Sequence, residues 1–562
     1  MTRILSVDTE SNGRDYRHDP QAKTTGVSVA TSTEGGDYFP FQHELGVNHV
    51  WPTFYGAHYH LKKFIESADV VLMHNAKHDI LALENIGINV RHKNYYCTML
   101  EAHFVNENLP NKGLDYVSKW CGGEPKNASK LMGKFIKHMG WGAIPVEVMR
   151  PYAENDACLP LHIHNKLYPT FVAEGYDGEL WEREKRFTDL IMRMEALGIA
   201  IDSDLCEQEI EIGTERMQDI LDDLKLNPMS GGDLKKLLID QMGIPSQKTT
   251  PTGKPSFDKE AMGLYEEILE QRNDETARKV LEYRGWQKTI SSNYSSYLEL
   301  QSSNGNLHPS FKLHGTRSGR LSCEKPNLQQ IPRSSARRWN GSLKKAFRPR
   351  PGFRIFEADY ANLELRLAAV YSQEPNLMGP LAQGFKPFDV MAEQLAWERQ
   401  NCKTFTYATL YGGGVNRIKD LFYISYTAAK EMRDSWFGTY PAILEASRKA
   451  SRLAERRGYI SLWTERRRHL THKEGYKAFN SLLQGGAAEL VKSVMLALDE
   501  VIDWVECRML LQVHDSIVFE IAIGREDYWL PIIRRVMENV SAFHSQFGKI
   551  PFPVDIKEYG KQ

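Results

Sequence analysis

Apolar and polar positions fall into three patterns along the chain. Near the N-terminus the short runs "RILSVDTE", "GVSVATS" and "VVLMHN" predict strands, and a helical segment enters at Ala76, so residues 1 to about 170 read as α/β. From about 178 to 300 the spacing is helical and amphipathic, as in "ELWEREKRFTDLIMRMEALG". It is interrupted at "PSQKTTPTGKPS", whose Pro, Thr and Lys content predicts a loop. Beyond about 305 helices and strands mix, with "FRIFEADY", "MLLQV" and "SIVFE" as the best strand candidates. The last two predict a hairpin, and His514 and Asp515 stand at its turn, where Gly or Asn is expected. The main boundary is predicted near 170–180, at "YPTFVAEGYDGE".

At 562 residues the chain is too long for one core, so two to four domains are expected. No run of eighteen apolar residues is present to span a bilayer, and "MTRILSVDTE" lacks the apolar stretch of a signal peptide. The seven cysteines are widely separated with no CxxC pair, which argues for a reducing compartment and against structural zinc. A cytoplasmic protein with no membrane partner is the expectation.

The net charge of −1 gives no hint of nucleic acid, but its distribution does. Between Ile331 and Phe356 lie eight basic residues (Arg333, Arg337, Arg338, Lys344, Lys345, Arg348, Arg350 and Arg354) and no acidic one. From Ala446 to Arg468 there are eight more against Glu455 and Glu465. Such stripes suit a phosphate backbone.

Carboxylates recur at telling spacings. Asp8 and Glu10 in "VDTE" are two apart on a strand and share a face. Asp79 follows a strand, near a helix start. Tyr152 and Asp156 are four apart, on one face of a helix that Pro151 is expected to open. Four converging carboxylates repel unless cations neutralise them, and hard divalent ions such as Mg²⁺ take such oxygen ligands. In the C-terminal half Asp359 ends an apolar strand and Glu364 and Arg366 lie in the ensuing helix. Arg399, Lys403, Tyr407 and Tyr411 recur every four residues and are predicted to share one helical face, two cations and two rings that match a nucleoside triphosphate.

The ordered set Asp8-Thr9-Glu10, Asn75 to Asp79, and Tyr152 to Asp156 resembles the DxE, NxxxD and YxxxD pattern of the proofreading 3′–5′ exonucleases, of the ribonuclease-H-like fold. "CTMLEAHFVNENLPNKGLDYVSKW" resembles that family's helical connection. Residues 305–562 resemble the core of the A-family DNA polymerases, in "GTRSGRLSCEKPNLQQIP", "ADYANLELR", "RQNCKTFTYATLYG", "GYISLWTERRR", "NSLLQGGAAELVK" and "LLQVHDSIVFE". The implied fold is multidomain α/β and α+β: an exonuclease domain over 1–175, then a right-hand polymerase over 176–562. Its thumb is expected at about 180–320, palm at about 321–385 and 445–562, and fingers at about 386–444.

The resemblance implies primer extension with proofreading. Asp359 and Asp515 would hold two Mg²⁺ ions, and Asp8, Glu10, Asp79 and Asp156 two more, with Mn²⁺ as a substitute; Tyr152 would position water. Arg399 and Lys403 would hold phosphates, with Lys403 also a proton donor to pyrophosphate. Tyr407, Tyr411 and Tyr360 would line the nucleotide site, and Glu364 would exclude a 2′-hydroxyl. Arg320, Asn480, Gln484, Arg466, Gln512 and His514 would contact DNA. Implied partners are primer–template DNA, dNTPs and a single-stranded 3′ end, with a helicase, single-strand-binding or processivity protein as further candidates; a monomer is expected. The layout resembles phage replicative enzymes. No 5′ nuclease segment precedes the first motif, so flap removal is expected to fall to another enzyme. The competing reading is a 3′–5′ exonuclease with a DNA-binding but weakly active polymerase module.

Some positions depart from the family pattern. Tyr407 stands where many relatives have Phe, which goes with tolerance of dideoxynucleotides. Ala361 and Asn362 replace Ser and Gln, and Met391 stands where a nucleotide-contacting His is usual, in a shortened connection to Arg399. Ser516 replaces the acid that commonly follows the second aspartate, so metal binding is expected to rest on Asp359 and Asp515, with Ser516 dispensable.

Overall fold

The computed structural model describes residues 2–46, 48, 53–123, 133, 136–137, 140–331 and 343–560. Arg333, Arg337 and Arg338 of the first basic stripe lie outside the described residues.

The first 175 residues build one sheet and the helices packed on it. Its strands are β1 (Ile4–Ser11), β2 (Thr24–Ala30), β3 (Asp37–Pro40), β4 (Val70–Met73) and β5 (Asn94–Cys97), in the order β3-β2-β1-β4-β5. β1 runs antiparallel to β2 and parallel to β4, so the chain must cross over between them through helix α1 (Thr53–Ser67). Helices α2 (Ala76–Asn85), α3 (Thr98–Val105), α4 (Leu114–Trp120) and α5 (Val146–Ala173) complete this part. α5 begins at Val146, not at Pro151 as the sequence suggested; Pro145 caps it, and Pro151 sits inside. Pro151, Pro160 and Pro169 all lie inside the helix, where each removes a backbone donor, so the long helix is held by its packing rather than by propensity.

A five-residue link then leads to α6 (Glu179–Leu197), and β6 (Ile199–Ala200) pairs with the distant β7 (Asn306–Leu307). Between them run α7 (Ser203–Leu224), α8 (Lys259–Glu270) and α9 (Thr276–Thr289). The tip of this arm has its own small core, including Leu234, Phe257, Tyr265 and Leu281, separate from the main one.

The remaining chain builds a second sheet from β10 (Phe353–Tyr360), β13 (Cys507–Val513), β14 (Ser516–Ala522) and β15 (Val554–Glu558), in the order β13-β14-β10-β15. It is fully antiparallel, and Asp359 stands opposite Ser516 on one side and Asp555 on the other. The hairpin β8 (Ser310–Lys312) and β9 (Ser322–Glu324) comes before this sheet. Between β10 and β13 come α10 (Leu363–Ser372), α11 (Pro375–Ala382), α12 (Pro387–Leu395), α13 (Arg399–Leu410), α14 (Val415–Phe422), α15 (Tyr426–Thr439) and α16 (Pro441–Arg457). They are followed by the hairpin β11 (Tyr459–Ser461) and β12 (Arg467–His469) and by α17 (Ala478–Asp499); α18 (Glu526–Glu538) follows β14.

One continuous apolar core holds both sheets, from Leu5 and Val71 to Ile517 and Val518. The junction also buries charge. Glu489 on α17 is fully buried and meets Arg183 of α6, Arg466 at 3.3 Å and Lys492 at 3.8 Å, while Lys492 reaches Glu184 at 3.0 Å. Burial works against ionisation of Glu489, but the cations of Arg183, Lys492 and Arg466 outweigh it and hold the carboxyl down at about 2. Removing one partner from such a network costs about 3–5 kcal/mol, so α6 is locked to α17.

Two candidate acidic sites

The first site forms where β1, α2 and α5 meet. Strand alternation puts Asp8 and Glu10 on one face of β1, and helical spacing brings Tyr152 and Asp156 of α5 toward them. Asp8, Glu10, Tyr152 and Asp156 line a cavity of about 600 Å³, whose wall also carries Tyr116 and Lys119 of α4. The Tyr152 hydroxyl is pushed well above its usual range by burial first, then by Asp156, Glu10 and Asp8, so three carboxylates face one phenol. Asp79 is not in that wall. It is 2% exposed, and its Oδ1 accepts a hydrogen bond from Thr9 Oγ1 at 2.7 Å. Burial pushes its carboxyl up to about 8 against the hydrogen bonds from Thr9.

The second site forms at the end of the other sheet. The β10–β14 register brings Asp359 beside the hairpin turn that carries Asp515, and His514 takes a left-handed φ of 56° at its tip. Burial pushes the Asp515 carboxyl up, Arg320 opposes this, and Glu364 adds to it. Arg320 Nη2 stands 2.5 Å from Glu364 Oε1 and 3.4 Å from Asp515 Oδ1, so one guanidinium bridges both acids. Tyr407 on α13 is raised by burial, then by the negative charges of Glu364, Asp515 and Asp359. Tyr411 is the residue that caps α13, and its hydroxyl is raised by burial and then by Glu364.

Both donor sets are carboxylate oxygens, the chemistry of Mg²⁺ or Mn²⁺ rather than of a soft ion. Asp79 Oδ2 is buried with no protein partner, as an oxygen reserved for a cation would be. Among the described residues, no three His, Cys, Asp or Glu side chains are gathered closely enough to hold a metal ion as they stand.

Residues 200–561 match the model of DNA polymerase family A, and residues 2–171 match that of the 3′–5′ exonuclease family. The chain belongs to DNA polymerase family A. It is 26% identical over 606 residues to DNA polymerase I of Rhizobium leguminosarum, covering 99% of this chain and 58% of that protein. DNA polymerase I of Pseudomonas aeruginosa is 26% identical over 591 residues, with 99% and 62% covered, and the thermostable enzyme of Thermus aquaticus 29% over 401 residues, with 65% and 47% covered. The chain thus spans about six-tenths of the length of the first two relatives. In fold it is similar to the POL domain of Pol1 from M. smegmatis, solved with DNA primer-template and dNTP, with a TM-score of 0.81 at 21% identity over 99% of this chain and 95% of that one.

Within this family A chain, several residues expected at ligands are otherwise engaged. Tyr360 is 4% exposed and its hydroxyl donates to Met537 O at 2.5 Å, because strand alternation turns it away from the Asp359 face. Arg466, expected on DNA, is 4% exposed; it pairs with Glu489 and lies 4.5 Å over the Phe104 ring of α3. Gln512 is buried, donates to His514 O and accepts from Gln329 Nε2 at 2.9 Å. Arg399 is exposed and paired with Asp389 at 2.6 Å. Lys403 and Gln484 are half-buried, His514 is exposed, and Asn480 keeps a buried Oδ1 without a protein partner. Met391 is fully buried and accepts a contact from Thr406 Oγ1 at 3.4 Å, a core role.

The basic stripes also divide. Lys344, Arg350 and Arg354 of the first are paired with Glu357, Glu520 and Glu558, so this part serves the fold. On α16, Arg448, Lys449, Arg452, Arg456 and Arg457 remain exposed. The sequence reading missed Glu107, on the loop after α3: it binds Arg468 Nη1 at 2.5 Å and His469 Nδ1 at 2.9 Å, more than 350 residues away. No local signal marks such a residue.

Proposed function

We propose that the chain is a template-directed DNA polymerase that extends a primer 3′ end and removes misplaced nucleotides with its own 3′–5′ exonuclease. The observation that carries this reading is the register that sets Asp359 beside the Asp515 turn, with Glu364 bridged to Asp515 by Arg320. Residues 1–175 are proposed as the exonuclease domain and 176–562 as thumb, palm and fingers, with α13 in the fingers.

Asp359 and Asp515 would hold two divalent ions, which when bound supply a more acidic primer 3′-hydroxyl and charge neutralisation on the leaving pyrophosphate. Arg399 would leave Asp389 for the β- and γ-phosphates, and Lys403, one turn along, would give a proton to pyrophosphate. Glu364, held by Arg320, would crowd a 2′-hydroxyl and so select deoxynucleotides. The Tyr407 hydroxyl would stand where a 3′-hydroxyl is missing from a dideoxynucleotide. In the first site Asp8, Glu10, Asp79 and Asp156 would hold the ions, and Tyr152 would aim the water at the terminal phosphodiester. The partners are primer–template DNA, dNTPs and a single-stranded 3′ end, met as a monomer in the cytoplasm; a phage or prophage source and a helicase, single-strand-binding or processivity partner belong to the same proposal. Among the described residues no helix is long and apolar enough to cross a membrane.

The second reading, an exonuclease with a weakly active polymerase module, is favoured by the pairing of Arg399 with Asp389 and of Arg320 with the site acids. A labelled primer–template with Mg²⁺ separates the two. Extension with dNTPs and shortening without them is the expected result; shortening in both cases would leave the second reading.

A further inference from the structure

We infer that Glu357 is a positioning residue of the polymerisation site, fastening the Asp515 turn to β10 through Ser516. The inference rests on the polymerase reading above. Glu357 and Asp359 are two apart on β10 and share the face on which Ser516 stands opposite Asp359. Glu357 is therefore within reach of the turn, and Ser516 Oγ lies 3.2 Å from its Oε1 and 3.0 Å from Val513 O. The single proton of that hydroxyl is shared between Glu357 on the strand carrying one aspartate and Val513 O across the turn carrying the other. The second oxygen of Glu357 is fixed as well: Lys344 Nζ donates to Oε2 at 2.6 Å, and Lys344 itself lies 4.7 Å over the Tyr559 ring. Lys344, Glu357 and Ser516 thus form a relay that ends one residue from Asp515.

Such a tie is needed because of what else holds Asp515. Its carboxylate contacts Arg320, a long side chain shared with Glu364. When Arg320 turns to DNA, the turn keeps its aim through its backbone, through Gln512 on His514 O and through Ser516, and of these only Ser516 ties it to β10 by a side chain. The relay also accounts for serine at position 516. An acid there would set a second carboxylate within hydrogen-bonding distance of Glu357, where it has no proton to donate and repels its neighbour. A carboxylate on β10 and a hydroxyl on β14 form a matched pair; the acid can sit on either strand but not on both. Ser516 is then dispensable as a metal ligand but not as a clasp.

The test uses the full chain and four variants: Glu357→Ala, Glu357→Gln, Ser516→Glu and the double Glu357→Ala/Ser516→Glu. Mn²⁺ affinity is measured by electron paramagnetic resonance on the complex with a dideoxy-terminated primer–template and the matching dNTP, where no turnover occurs. An Asp8→Ala background keeps the primer intact. Glu357→Ala should weaken Mn²⁺ binding about tenfold and lower kcat for single-nucleotide addition by about ten- to a hundredfold, with KM for dNTP nearly unchanged. Glu357→Gln should lose less, because its amide oxygen still accepts from Ser516. Ser516→Glu should be as damaging as Glu357→Ala, and the double variant should recover to within about threefold of the parent. Digestion by each variant carrying Asp8, and its thermal unfolding, verify the fold. Unchanged Mn²⁺ affinity in Glu357→Ala, or a double variant no better than the singles, would overturn the inference. A parent chain that binds Mn²⁺ in a Glu357-dependent way yet extends no primer would instead defeat the polymerase reading.

Discussion

The two acidic sites keep their carboxylates together by opposite means. In the first, Asp8, Glu10 and Asp156 share one cavity wall while Asp79 sits behind, pushed up to about 8 by burial and clasped by Thr9. In the second, Arg320 stands between Glu364 and Asp515 as an internal counter-charge. A buried acid with no cation answers by holding its proton; one with a guanidinium beside it stays closer to ionised. The first arrangement is relieved when a cation arrives, whereas the second must also release an arginine. That release links the acids to whatever anion Arg320 finds next, which in the proposed reaction is DNA.

The largest expected effect separates the sites outright. Asp515→Ala should lower primer extension by about three orders of magnitude and leave digestion intact, and Asp8→Ala should do the reverse, in the labelled-primer assay. If either variant lost both activities equally, the sites could not be compared as independent. Next, Glu364→Ala removes the side chain proposed to exclude a 2′-hydroxyl from the second site. Discrimination against ribonucleotides should fall about a hundredfold, measured as a ratio of kcat/KM values, with no change in digestion.

The third effect concerns the contact between the two regions. Burial works to lower the His469 pKa, but its bonds to Glu107 and Glu174 prevail and raise it to about 9. A His raised above its unfolded value of 6.5 stabilises fully below pH 6.5 and loses that contribution as pH rises through about 9. Unfolding by urea at pH 6.5 and pH 9.5 should differ by on the order of 2 kcal/mol more in the natural chain than in His469→Gln. Equal differences would show that the docking does not depend on that charge. The smallest effect tests the proposed nucleotide end of the second site. Tyr407→Phe should reduce dideoxynucleotide incorporation relative to dNTP by about tenfold in a primer-extension ladder, the worth of one hydrogen bond.

Local pattern alone carried much of this molecule. The alternation in "VDTE" put Asp8 and Glu10 on one face, and the four-residue spacing of Tyr152 and Asp156 survived even though α5 starts five residues before Pro151. The hairpin around His514 and Asp515 was readable from two apolar runs, and its odd turn residues flagged the site before any contact was known. For residues that only the family resemblance offered, burial decides direction. Tyr360 is next to Asp359 in the chain, yet its hydroxyl is spent on Met537. Arg466 and Gln512 look like DNA contacts and are held by Glu489 and Gln329.

What the sequence determined by itself is therefore the inventory: which acids, which cations, and at which period along strand or helix. These follow from short-range geometry that every strand and helix shares. The tertiary structure decided the pairings. Glu107 with Arg468, Arg183 with Glu489, Arg320 with Asp515 and Glu357 with Ser516 join residues 159 to 361 positions apart. Their energies come from desolvation and proximity, which exist only after the sheets have packed.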